Sequence, residues 1–281
     1  STDPMPGSGG RPLVMGIVNV TPDSFSDGGR LATVEAAIAH GLKLVEQGAD
    51  WLDVGGESTR PGAAPVDEAE ELARVMPVIQ GLTARWDGPI SIDTLKPGIA
   101  RAAVGAGASM WNDVSALNGS PDSLATAAEL GCAVCLMHMS GEPRTMQDAP
   151  VYDDVIAEVS DHLAARAEAA MAAGVARSAI WLDPGLGFGK TAAHNLALTA
   201  HLDRLAALGF PVLYGASRKR TIQAVDPTAT DPLDRLGGSL ALALEASRRG
   251  AAMIRVHDVR ETVQALKLQA ALNPPGSSDR S

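Results

Sequence analysis

The 281-residue chain has only two cysteines, Cys132 and Cys135, and no second pair stands beside them. A C-x-x-C spacing can mark a redox couple or half of a metal site. Here it lies inside the apolar run GCAVCLMH, where free cysteine packs as a small hydrophobe. We therefore read the pair as core, in a chain suited to the reducing cytoplasm. Long apolar runs are missing too: no stretch approaches the roughly 18 residues of a membrane helix, and the N-terminus lacks a secretory pattern. Excess positive charge is also absent. The 23 Lys and Arg against 33 Asp and Glu give a formal net charge of −10. Non-specific nucleic-acid binding rests on Lys and Arg contacts to phosphate and is excluded. An anionic small molecule then needs a local basic cluster to receive it.

What is present is a rhythm. Hydrophobic residues make up 46% of the chain and charged ones 20%, enough to bury a large core. Apolar runs recur at 14–20, 51–56, 89–93, 109–114, 133–138, 179–184, 211–217 and 252–258, with Ala/Leu/Glu-rich stretches between them. Several of those stretches close on glycine, as helix C-termini do: Gly48, Gly107, Gly131, Gly174, Gly209 and Gly250. Eight strand–helix repeats require a parallel sheet covered by helices, and near-continuous apolar strands fit burial on both faces. Eight units in about 260 residues favour closure over an open doubly wound sheet. The reading is α/β, a single-domain (β/α)8 TIM barrel over residues 13–272. Residues 1–12 read as an unstructured leader or expression remnant, and the Pro/Gly/Ser-rich residues 273–281 as a flexible tail.

Each run ends in a polar group: Asn19, Asp53, Asp93, Asn112 with Asp113, His138, Asp183, Ser217, and Arg255 with His257. In a barrel these ends converge on the catalytic face. The motifs around them carry the chemistry. In NVTPDSFSDGG (19–29), Asn19 offers an amide oxygen suited to Mg2+, while Phe25 and Asp27 lie on a segment suited to closing over a substrate. DVGGESTRPGA (53–63) places Thr59 and Arg60 beyond a strand end, and Arg60 can grip an anion with its planar fork. Asp53 reads equally well as a buried structural carboxylate. DPGLGFGKT (183–191) fails as a phosphate loop because Pro184 stands where the first glycine belongs. Its glycines instead let backbone approach a flat ligand. GASRKRT (215–221) is the basic cluster sought above, with Lys219 our choice for the inward residue. Arg255 and His257 alternate by two and share one side of their strand, which with Asn19 suits a diphosphate. Asp93, Asn112 and Asp183 lack a companion nucleophile, so they point to recognition. A carboxylate accepting two parallel N–H bonds suits an aminopyrimidinone edge.

Across residues 14–270 the blocks MGIVNVTPDSFSDGG, DVGGESTRPGA, SIDT, NDVSA, CLMHM with GEPRTMQ, DPGLGFGKT, GASRKR and RVHDV resemble dihydropteroate synthase, the folate-pathway family and sulfonamide target. The resemblance implies a transferase that joins 6-hydroxymethyl-7,8-dihydropterin diphosphate to 4-aminobenzoate with Mg2+, as a cytoplasmic homodimer. By position, Asp93, Asn112, Asp183 and Lys219 would hold the pterin edge, with Met137, Phe188 and Gly215 beside the ring. Asn19 would ligate Mg2+. Arg255, Val256 and His257, with Thr59, would hold the diphosphate. Phe25, Asp27, Arg60 and Pro61 belong to the closing loops near the aminobenzoate. Asp27, Lys219, Arg255 and His257 are the catalytic expectations. The alternatives are a pterin-dependent methyltransferase barrel, which would not need the Asn19, Arg255 and His257 set, and a non-catalytic pterin-binding paralogue.

One position departs from the family pattern: Arg220 stands where many members have Ser, near the aminobenzoate. If Arg220 binds the substrate carboxylate, Arg220→Ala raises the aminobenzoate KM clearly above wild type in steady-state assays. An unchanged KM rejects that role.

Overall fold

The computed structural model describes residues 10–20, 29–59, 62–140 and 151–274. Eight strands appear among them: β1 (Leu13–Asn19), β2 (Trp51–Gly55), β3 (Ile90–Asp93), β4 (Met110–Asp113), β5 (Ala133–Met137), β6 (Ile180–Asp183), β7 (Leu213–Tyr214) and β8 (Met253–Val256). All paired strands are parallel, in the order β6-β5-β4-β3-β2-β1-β8-β7. A single bridge, Leu182 to Val212, joins the two ends of that order and closes the barrel.

Every expected run contains a strand, but β7 is only two residues long against the expected 211–217. Two local causes account for this. Pro211 has no N–H to donate and offers only its carbonyl, to Leu182 N at 2.9 Å. Past Tyr214, the Gly215 carbonyl accepts from the Lys219 ammonium at 2.6 Å and so is withdrawn from the strand ladder.

The helices are α1 (Gly29–Glu46), α2 (Glu68–Thr83), α3 (Pro97–Gly105), α4 (Ser123–Leu130), α5 (Val155–Ala173), α6 (Ala192–Ala200), α7 (Leu202–Ala206), α8 (Arg220–Val225), α9 (Leu236–Arg248) and α10 (Val259–Leu272). Side chains cap the starts of α2, α5 and α6 and satisfy orphan N–H groups there. Asp67 accepts from Glu70 N at 2.8 Å at the head of α2, and Asp154 from Ala157 N at 3.2 Å at the head of α5. Thr191 and His194 form a reciprocal capping box on α6. The six expected terminal glycines all have positive φ. None of these helices is long and apolar enough to cross a membrane.

The core has two parts. The larger lies between strands and helices, where residues such as Val14, Leu52, Ile92, Trp111 and Leu136 meet Val78, Leu163 and Val263. The smaller fills the barrel itself: Leu13, Met15, Trp51, Met110, Cys135, Trp181, Leu213 and Met253. Cys135 is fully buried in this plug, and both cysteines are free.

Gly131 gives a clean test of backbone strain, because its φ is 65° and a Cβ there would meet nothing within 4 Å. Gly131→Ala should lower the unfolding free energy by about 1 kcal/mol through the left-handed backbone alone. Urea titration measures this, and activity should not change.

Candidate active site

Strand side chains alternate between faces, so the barrel plug fixes which later residues also point inward. Two steps beyond Trp51 is Asp53, beyond Met110 is Asn112, and beyond Cys135 is Met137. Beyond Trp181 is Asp183, beyond Leu213 is Gly215, and beyond Met253 is Arg255. Asn19 lies four residues past Met15, on the same face. The apolar plug therefore carries a polar belt on its C-terminal side. Across β1 to β4 the register runs Asn19–Gly55–Asp93–Asn112.

Asp53 ties the belt together. Only 1% exposed, it accepts on Oδ2 from Arg255 Nε at 2.7 Å and from Asn112 Nδ2 at 3.3 Å. Arg255 thus reaches across β1, and a second guanidinium nitrogen lies 3.6 Å from Asp93. Gly55 adjoins this pair, and a Cβ there would lie in van der Waals contact with Asp93 Oδ2 at 3.4 Å. One cation faces two carboxylates. Burial and the neighbouring Asp53 charge push the Asp93 carboxyl up to about 8, against the opposing pull of Arg255. Asp53 Oδ1, Asp93 Oδ1 and Asn112 Oδ1 are all buried with no partner. Buried polar atoms are nearly always satisfied, so three orphans in one belt mark a place where a ligand bearing N–H donors belongs.

On the opposite side, Asp183 accepts from Gly185 N on Oδ1 at 2.8 Å, and burial raises its pKa. Lys219 Nζ donates to Leu186 O at 2.7 Å and lies 5.2 Å from the Phe188 ring centre. Desolvation lowers the Lys219 ammonium to about 8, although Asp183 partly supports its charge. Ser217 Oγ and His257 Nδ1 are 2.8 Å apart, and the same hydroxyl accepts from His257 N at 3.1 Å, which fixes the ring.

From the sequence set, strand parity and register put Asn19, Asp93, Asn112, Met137, Asp183, Gly215, Arg255 and His257 on the inward side of their strands' ends, and Lys219 joins Gly215 to Phe188. It sets others apart. Val256, expected among the binding residues, alternates outward and packs into the strand–helix core at 3% exposure. Its side chain does not line the cavity. Asp113 also faces away from the plug side and caps the turn after β4, accepting from Ser115 N and Leu117 N. His138 turns toward α5, in edge contact with His162 at 5.0 Å between ring centres. Thr59 is half-buried beyond β2, in a loop whose base Glu57 fastens by accepting from Val66 N. Arg220 is exposed at the head of α8. Phe25, Asp27, Arg60 and Pro61 lie outside the described residues. Sequence reading missed Lys190, which is 2% exposed against the loop after β6.

With this geometry in hand, comparison with known proteins is decisive. A family model described as pterin binding enzyme matches residues 15–257. The dihydropteroate synthase of Escherichia coli strain K12 is 48% identical over 261 residues, covering 93% of this chain and 92% of that protein. The chain belongs to the dihydropteroate synthase family. Solved structures agree. The Xanthomonas albilineans dihydropteroate synthase with 4-aminobenzoic acid has a TM-score of 0.89 at 55% identity, covering 94% of both chains. The same enzyme in complex with 7,8-dihydropteroate has a TM-score of 0.86 at 51% identity, covering 95% of this chain and 96% of that one. Dihydropteroate synthases are transferases of folate biosynthesis, and the TIM barrel found here is their fold.

Asp93 offers a test by pH. Its raised folded pKa means that the native state holds a proton which the unfolded chain gives up near pH 4, so stability falls as pH rises from about 4 to about 8. Asp93→Asn, a neutral isostere, should therefore raise Tm most above pH 8 and little near pH 4. A Tm gain that is the same at both pH values contradicts the assignment.

Proposed function

We propose that the chain condenses 6-hydroxymethyl-7,8-dihydropterin diphosphate with 4-aminobenzoate, forming 7,8-dihydropteroate and releasing diphosphate. The observation that carries this reading is the belt of unpartnered buried acceptors at Asp53, Asp93 and Asn112, set across the cavity from Asp183 and Lys219. A pterin edge supplies the N–H donors that such acceptors lack. The ligands of the two Xanthomonas structures, 4-aminobenzoic acid and 7,8-dihydropteroate, match one substrate and the product.

The roles follow from the contacts. Gly185 N–H pins one oxygen of Asp183, leaving the other for the paired N–H groups of the aminopyrimidinone. Asn112 and Asp93 take the adjoining edge, and Lys219 donates from the loop after β7. Met137, Phe188 and Gly215 flank the ring. Arg255 and His257 receive the diphosphate with Thr59, the first held by Asp53 and the second by Ser217. The C–O bond between the CH2 group and the diphosphate breaks, and the electron pair leaves with the diphosphate. The electron-rich ring delocalises the resulting cation, and the Asp183 carboxylate faces the ring over which that charge spreads. Preorganised groups of this kind lower barriers without reorganising. The arylamine nitrogen then attacks, and its extra proton passes to solvent or to Asp27. The family resemblance assigns Phe25, Arg60, Pro61 and Arg220 to the aminobenzoate.

Mg2+ fits the donor chemistry of Asn19, which ends β1 on the face that Met15 shares with the plug. Mg2+ usually takes one or two protein oxygens together with substrate phosphates and waters. When bound, it supplies charge neutralisation at the departing diphosphate. The family resemblance extends the reading to a cytoplasmic homodimer.

Diphosphate release measured with both substrates and Mg2+ tests the reaction. Release should require aminobenzoate, and Lys219→Met should lower kcat/KM by about 10²-fold or more. Release without aminobenzoate points to hydrolysis, and no release to a binding paralogue.

A further inference from the structure

Lys190 is a charged side chain, 2% exposed, that no step of the reaction above employs. Its surroundings are unusual. The loop between β6 and α6 runs through three glycines at φ 70°, 82° and 69° (Gly185, Gly187 and Gly189). Such a backbone joins neither a helix nor a strand ladder, so each polar group needs a separate partner. Several of those partners are side chains. Gly185 N donates to Asp183, and Gly187 N to Asn195 Oδ1 at 3.0 Å. Phe188 N donates to Gly185 O at 3.1 Å, and Tyr152 Oη to Gly189 O at 2.9 Å. Lys219 Nζ takes Leu186 O. Lys190 Nζ takes three carbonyls: Gly185 O at 2.8 Å, Phe188 O at 2.9 Å and, from the end of the neighbouring strand β5, His138 O at 3.4 Å. An ammonium has three protons, and three carbonyls receive them.

Two lysines thus hold one loop from opposite sides. Lys219 holds residue 186 from the cavity, and Lys190 holds residues 185 and 188 from beneath. The loop is pressed against the end of β5 so closely that a Cβ on Gly185 would lie 1.9 Å from His138 O. What the loop presents to the cavity is the Gly185 N–H that orients Asp183, the Leu186 carbonyl that orients Lys219, and the Phe188 ring. We propose that Lys190 is a positioning residue for the pterin pocket: its buried ammonium knots the β6–α6 loop to β5 and so sets the geometry of Asp183, Lys219 and Phe188. Burial and the Lys219 charge lower the Lys190 pKa to about 7, against the pull of Asp183. The knot is therefore made at a cost in desolvation.

The inference rests on the reaction proposed above, and wild-type activity is the control that separates the two. A wild type without activity sinks the reaction, whereas the variants speak only to Lys190. Lys190→Met keeps the length and removes the donors. We expect a folded protein whose KM for the pterin diphosphate rises about 10-fold or more, the usual scale for losing such a supporting contact. The aminobenzoate KM should stay within about twofold, because uniform loss of fold would move both. In Lys190→Ala, added ethylammonium should restore part of the pterin affinity. A pterin KM within twofold of wild type overturns the inference, as does an equal rise in both KM values or no rescue. Should Lys190→Met not fold, Lys190→Arg decides, since a planar guanidinium cannot serve three diverging carbonyls. A raised pterin KM in that variant sustains the inference. A wild-type KM, or failure of that variant to fold as well, overturns it.

Discussion

Asp53 lies at 1% exposure in the middle of a barrel strand, where an isolated carboxylate would cost several kcal/mol. It is tolerable only because Arg255 Nε meets it at 2.7 Å, and much of the cavity follows from that pairing. The guanidinium must cross β1 to reach it, which brings the last strand of the barrel into contact with the second. Asn112 joins the same oxygen and is thereby oriented. Asp93 is left buried beside the Asp53 charge with a cation already committed elsewhere, and its pKa is pushed up to about 8. Removing one member would strand the others in an apolar plug, which makes the belt one electrostatic object rather than several neighbouring residues.

Such a belt is poor for stability. Asp93 raised, and Lys219 and Lys190 lowered, each report a charge that folding disfavours. Three buried acceptors without partners add to the cost. The barrel carries this load on the strand–helix core and the apolar plug below, in keeping with the tendency of binding sites to hold strained, undersatisfied chemistry that a scaffold supports. The separation is vertical along the inward columns of β2, β4, β6 and β8: apolar at the plug, polar two residues later.

That column explains what could be read in the sequence. Strand rhythm and terminal glycines follow from local chemistry, so the barrel and the ends of its helices were legible. The polar strand ends showed where the site lies but not which way each one points. Asp113, His138 and Val256 have the wrong parity, and only the position of plug residues such as Met110, Cys135 and Met253 reveals it. The shortness of β7 depends on the Lys219 ammonium taking a carbonyl, a tertiary event that no pattern in PVLYGAS announces. Lys190 escaped for a related reason. Its partners are backbone carbonyls, which every residue has, so no complementary side chain marks the pairing. Asp53 could be read either as structural or as part of the site, and its contacts show that one carboxylate serves both.

The seam of the barrel has a consequence of its own. Seven strand junctions are ladders of at least two register pairs, whereas β6 meets β7 through the one bridge of Leu182 and Val212. Local opening follows the least-bonded joint, so this is where amide exchange enters the cylinder first. Asp183 and Lys219 stand on opposite lips of that joint. A molecule gripped by both would act as a rivet, and tight binding would register as slowed exchange at Leu182 and Val212, the bridge that the two lips share.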